Sequence, residues 1–125
     1  MEIRGENMSR KVYDSSMSAV SGPYSNAVDG GEFVFVSGQT AKNSTGNKKH
    51  AKSIGEQTQE CFNLLFDILK SANLTADNVV KVNVFLTSMK HFHEMNEVYK
   101  KQFTVPYPAR TTVAVLELPL GADVE

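Results

Sequence analysis

The chain has 125 residues, 41% hydrophobic and 22% charged, with a net charge of −1. Such a chain makes one ordinary domain with enough apolar residues for a core, and it has no basic stripe to release counterions from a nucleic acid. Its single cysteine, Cys61, excludes a disulfide framework and zinc-ligand spacing and fits a reducing compartment. No apolar run approaches the roughly 18 residues of a membrane span. These features predict a cytoplasmic protein with neither nucleic acid nor membrane as partner; a mitochondrial location stays open.

The first residues, Met1 to Lys11, mix both charge signs and resemble neither a secretory signal nor a presequence, which would avoid acids. Met8 is an alternative start, so residues 1–20 read as an extension with a first strand or loop, and 21–125 as the domain. Ser15 to Ser21 is a serine-rich loop, and Gly22-Pro23 then forces a turn before Tyr24. That tyrosine either packs or offers its hydroxyl to a ligand. Asp29-Gly30-Gly31 signals a hairpin. Phe33 to Gln39 follows as a strand, apolar on both faces at its start and so expected to be central. Ser37-Gly38 at its end permits a close approach by a ligand or another backbone. The polar stretch Lys42 to Lys49 is expected to be an exposed, mobile loop. It lacks the Gly-Lys-Ser/Thr spacing of a phosphate loop.

From Ala51 to Ala72 the apolar period changes to helical, with Ile54, Thr58, Cys61, Leu65 and Ile68 on one stripe. Cys61 reads as a small core residue. Val79 to Leu86 is a strand with Val80, Val82, Val84 and Leu86 on one face. Thr87 to Phe103 reads as a second helix capped by Ser88, with Phe92, Met95, Val98, Tyr99 and Phe103 inward and Asn96 close to that stripe. His91 and His93 point to different sides of a helix and have no third ligand, so no metal is expected. Pro106 and Pro108 fix the approach to a last strand around Val113, Val115 and Leu118, with Arg110 at its mouth. Pro119 to Asp123 turns, and Val124-Glu125 begins a further strand. A guanidinium fork and a carboxylate at strand ends can hold a carboxylate substrate and handle a proton. A solvated arginine and an unrelated glutamate are the plainer alternative.

Strands alternating with two long helices predict an α+β domain, a mixed β-sheet with two helices packed on one face. The other face would be bare, and self-association into a closed ring would cover it.

Gly22-Pro-Tyr24, Phe35-Val-Ser-Gly-Gln39, Val80 to Leu86, Asn96-Glu-Val-Tyr99, Pro108-Ala-Arg110, Leu118-Pro119 and Val124-Glu125 together resemble the YjgF/Rid family of 2-iminobutanoate/2-iminopropanoate deaminases. The resemblance runs from about Ser21 to Glu125, and its strength lies in the order and spacing of several motifs. It implies a chorismate-mutase-like fold, a homotrimer, and sites in the clefts between subunits. It also implies roles: Arg110 grips the substrate carboxylate, Glu125 lies near the catalytic water, Tyr24 joins them as a catalytic group that fixes a polar atom, and Ser37 and Gly38 line the cleft. Asn96 matches an asparagine of the second helix. Thr112 stands where many members carry cysteine, and its backbone carbonyl would serve the substrate. Members continue past the glutamate with an apolar strand.

The implied reaction is hydrolysis of small 2-imino or enamine acids to 2-oxo acids and ammonia, with no cofactor. Two alternatives stay open. One is a non-catalytic relative that binds small carboxylates or protein partners. The other is a hydrolase of a different carbonyl or carbamate substrate, with the Lys42–Lys49 loop as specificity element.

Overall fold

A computed structural model describes residues 9–45 and 53–125 of the chain. Expectations for Met1 to Met8 and for residues 46–49 of the Lys42–Lys49 loop lie outside the described residues. Three strands come first: β1 (Val12–Tyr13), β2 (Ala27–Asp29) and β3 (Val34–Val36), in the antiparallel order β1-β2-β3. The hairpin between β2 and β3 turns at Asp29-Gly30-Gly31. Gly31 takes φ +98, and its N–H donates to Asp29 Oδ1 at 2.7 Å. The positive φ is what a glycine permits and a side chain resists.

Helix α1 (Ile54–Ser71) begins where Ser53 Oγ accepts from the Glu56 N–H at 3.0 Å. Strand β4 (Lys81–Leu86) follows, then helix α2 (Phe92–Tyr99) and strand β5 (Ala109–Ala114), which pairs with β4 in parallel. Such pairing needs a crossover, and α2 supplies it. The second helix is shorter than its apolar pattern predicts. Ser88 does cap, accepting from Lys90 N–H at 3.2 Å, but it opens a 3-10 turn over Met89–His91 before α2 starts.

One cluster of the core joins α1, α2, β4 and Val124. Cys61 and Phe62 of α1, Met95 and Tyr99 of α2, Val84 and Leu86 of β4, and Val124 pack together, with Phe66 and Phe103 against them. Phe62 meets Tyr99 and Phe103 edge to face, with ring centroids 5.5 and 5.6 Å apart. Such pairs add about 0.5–1.5 kcal/mol each beyond area burial. Cys61 is a core residue, and burial, helped by the charges of Glu125 and Glu60, pushes its thiol up to about 12.

Three expectations are corrected. The single mixed sheet is two sheets, β1-β2-β3 and β4-β5. Glu125 links the two: it pairs its backbone with Phe85 of β4 and lies against Gly38 just past β3. The strand expected to be central, β3, is therefore an edge, and Phe35 is 53% exposed. Val80, expected inward, is 63% exposed because the strand proper starts one residue later at Lys81.

Met95 of α2 has no accessible surface and belongs to this cluster of α1, α2 and β4 side chains. Met95→Ala should cost about 2–5 kcal/mol in chemical denaturation; a loss below about 1 kcal/mol would mean the cluster collapses onto the void.

Candidate functional site

The most built-up feature near the chain's end is how Glu125 is held. Its N–H donates to the Phe85 carbonyl at 2.9 Å, and its own carbonyl accepts from the Phe85 N–H at 2.8 Å. Asp123 is clamped just before it. Asp123 Oδ1 accepts from Thr87 Oγ1 at 3.0 Å, and the Asp123 N–H donates to Gln57 Oε1 at 2.9 Å. The intervening Val124 is buried in the core. Side chains alternate along an extended segment, so Val124 facing the core sends Glu125 out on the opposite side, the side of Phe85.

There the carboxylate enters a cleft of about 340 Å³ with Tyr24, Ser37, Gly38, Pro119 and Leu120 in its wall. A methyl group at Gly38 would overlap the Glu125 carboxylate, so the glycine is what lets the acid lie against this strand end. Desolvation holds the Glu125 carboxyl above its usual range. Tyr24 faces the opposite influence. Its phenolic oxygen meets the Ser21 hydroxyl at 3.3 Å and receives the Ser21 N–H at 3.3 Å and Asn43 Nδ2 at 3.5 Å, and these contacts, the Ser21 hydroxyl first, lower its pKa. One cleft thus holds a carboxylate that keeps its proton longer than usual and a phenol that gives its proton up more readily.

Asn43 was expected in an exposed loop and is buried instead. Its Oδ1 accepts from the Thr40 N–H at 3.0 Å, and its Nδ2 donates to the Ala19 carbonyl at 3.1 Å, tying the loop ahead of Tyr24 to a 3-10 turn. The Thr40-to-Asn43 spacing, that of a capping box, is the signal that marks this turn in the sequence.

Arg110 lies within β5, paired with Val82, and its side chain is on the helix face. Its Nη1 donates to Asn96 Oδ1 at 2.7 Å, and its guanidinium carbon stands 4.5 Å from the Tyr99 ring centroid and 5.5 Å from that of Phe92. Stacking on two rings with one N–H fixed leaves the planar fork little rotational freedom. Thr112 is on the same face, paired with Val84, its Oγ1 buried without a partner among the described residues. The Ala109 and Val115 N–H groups bond toward β4. By parallel alternation the backbone groups of Arg110 and Thr112 therefore point to the open edge of β5.

Tyr24, Ser37, Gly38 and Glu125 are therefore gathered in one cleft, and Arg110 with Asn96 in a second group on the other side of the sheet. Within one chain the two groups do not meet. His91 closes the 3-10 turn and His93 is exposed in the first turn of α2.

This small α+β domain, with an acid half-buried at a strand end and an arginine stacked on aromatic rings, has clear relatives. The profile of the family described as Endoribonuclease L-PSP matches residues 15–125. Protein MMF1, mitochondrial, of Saccharomyces cerevisiae is 45% identical over 102 residues, covering 82% of this chain and 70% of that protein. The 2-iminobutanoate/2-iminopropanoate deaminase of Mus musculus is 35% identical over 117 residues, covering 93% and 87%. The crystal structure of yeast Mmf1 superposes with a TM-score of 0.82 at 37% identity, covering 93% of each chain. The chain belongs to the Endoribonuclease L-PSP family, the YjgF/Rid family.

Two consequences of the Gly38–Glu125 contact can be measured. Gly38→Ala should displace the carboxylate by about an ångström and cost on the order of a hundredfold in any activity that depends on it; unchanged activity would remove Glu125 from the chemistry. Glu125→Gln should be at least as stable as the parent at pH 7. Burial raises the folded carboxyl's pKa, so the parent loses stability as pH climbs from the ordinary carboxylate range through the raised value. The difference in Tm should vanish below about pH 4, and a variant less stable than the parent at pH 7 would contradict the assignment.

Proposed function

We propose that the chain is a hydrolytic deaminase of reactive 2-imino acids, turning 2-iminobutanoate or 2-iminopropanoate and water into a 2-oxo acid and ammonia. The observation that carries this reading is the Glu125 carboxylate, half-buried against Gly38 with the Tyr24 phenol in the same cleft. Support comes from the mouse relative named for that activity.

Glu125 takes a proton from water as its oxygen adds to the imine carbon. A carboxylate with a raised pKa is the better base for that purpose, because its affinity for the proton is higher. Tyr24, polarised by Ser21 and Asn43, donates to the imine nitrogen; the proton on Glu125 then passes to that nitrogen as the carbon–nitrogen bond breaks, the new hydroxyl returns its proton to Tyr24 as the carbonyl forms, and ammonia leaves. Ser37 and Gly38 bind from the wall of the cleft. Arg110 holds the substrate carboxylate, with Asn96 and Tyr99 orienting its fork and the Thr112 carbonyl at the adjacent open edge.

The working assembly is a homotrimer in which Arg110 of one subunit completes the Glu125 cleft of another. Three features support it: the two groups stand on opposite faces within a chain, β5 has an open edge, and Phe35 and Val113 are exposed on sheet faces away from the core. A ribonuclease, as the family's description suggests, would need a basic track for the phosphate backbone, which a net charge of −1 gives no reason to expect.

The test is 2-oxo acid release in a coupled assay with threonine dehydratase, for parent, Arg110→Ala and Arg110→Lys, with oligomer mass by light scattering. Arg110→Ala should lose roughly two or more powers of ten in kcat/KM: about 1.5–3 kcal/mol of charge-assisted bonding plus lost positioning, at tenfold per about 1.4 kcal/mol. Arg110→Lys should recover little, because an ammonium cannot reproduce the fork. Near-parental rates in Arg110→Ala would sink the mechanism, and a parent that leaves the rate unchanged for several amino acids would favour the non-catalytic binder.

A further inference from the structure

Leu120 is held in an unfavourable backbone conformation. Its φ of 60 and ψ of 19 lie in the left-handed region, where a leucine side chain crowds its own carbonyl. Among the described residues one other non-glycine has positive φ, Asn73, which follows α1 and whose short amide suits the conformation. Leucine has no such excuse, and the chain does not recover the cost by burying it: Leu120 is 54% exposed. Pro119 fixes the turn before it and Gly121, at φ 72, continues it. Strain kept at an exposed apolar residue points to use of that residue.

Its place shows what the use would be. Leu120 and Pro119 are the aliphatic side chains in the wall of the Glu125 cleft; the remaining wall is Tyr24, hydroxyl and amide side chains, Gly38 and the acid itself. Among the described residues of one chain, it is here that a small substrate oriented by polar groups at its reacting end meets aliphatic side chains.

We propose that Leu120 is the specificity wall of this cleft, displayed by its left-handed turn so that the alkyl side chain of a 2-imino acid lies against it while the imine carbon faces Glu125. This rests on the deaminase reading and narrows it to aliphatic substrates. Alanine-derived imines barely reach the wall; branched ones lie along it. Removing the wall should therefore change selectivity with chain length and leave the reaction on the shortest substrate intact.

The experiment compares parent, Leu120→Gly and Leu120→Asn on 2-imino acids generated in situ from alanine, 2-aminobutanoate and leucine by an amino-acid oxidase. Both variants tolerate positive φ, so the turn is retained. The leucine-derived substrate should lose about tenfold in kcat/KM, the size of effect one or two methylenes have in an apolar pocket, and the alanine-derived substrate less than about threefold. An equal loss on all three substrates, no change on any, or loss of the parental oligomer mass would overturn the proposal. The dissociation constants of pyruvate and 4-methyl-2-oxopentanoate provide a readout independent of turnover. The branched acid should weaken about tenfold in both variants and pyruvate should not; if the parent hydrolyses no imine, the deaminase reading falls alone and this ratio still decides the role of Leu120.

Discussion

The pair of backbone hydrogen bonds between Phe85 and Glu125 is the constraint on which the site depends. It fixes the phase of two residues. Val124 goes into the core beside Cys61 and Leu86, and Glu125 is driven to the opposite side, against Gly38 and into view of Tyr24. The phase is protected by the Asp123 clamp, which ties the segment to α1 through Gln57 and to the end of β4 through Thr87. A slip of one residue would bury a carboxylate among aromatic rings and expose a valine, at a cost of several kcal/mol for an unpaired buried charge. Core packing and site chemistry are therefore the same requirement.

The alternation that sends Glu125 one way sends Arg110 the other. Arg110 shares the face of Val82 and Val84, where Asn96, Tyr99 and Phe92 hold its guanidinium. Each half is well made, and each lacks what the other has. Among the described residues, the carboxylate cleft has no cation in its wall, and the arginine has no acid among its hydrogen-bond partners. A second subunit, in the assembly proposed above, would supply the missing half in both directions.

How much was legible in the sequence follows from the physics of each signal. Helix α1 and strand β4 were, because their apolar periods of roughly 3.6 and 2 are long and unbroken. The β2–β3 hairpin was, because Asp29-Gly30 carries its own turn chemistry. The second helix was overextended: Phe103 continues the apolar stripe past Tyr99, and the pattern does not register where the backbone leaves the helix. The division into two sheets was invisible, since pairing between strands is a long-range property. Tyr24, Ser37, Gly38 and Glu125 were named through motif order, and the structure brings them into one cleft. Asn43, Leu120 and the Asp123 clamp were not named. Their contributions come from contacts to residues distant in the chain, and an asparagine in a polar stretch or a leucine after a proline looks ordinary until those contacts are seen.

In the proposed trimer, one catalytic unit takes its carboxylate from one chain and its guanidinium from another. Arg110→Ala and Glu125→Gln, each inactive alone, can be unfolded together, refolded at equal concentration and assayed for 2-imino acid hydrolysis. If the two groups come from different subunits, random association leaves about one quarter of the sites intact and recovers about that fraction of parental activity. A mixture no more active than its components, at the parental oligomer mass, would place both groups in the same chain's site or outside the chemistry, and would contradict the account.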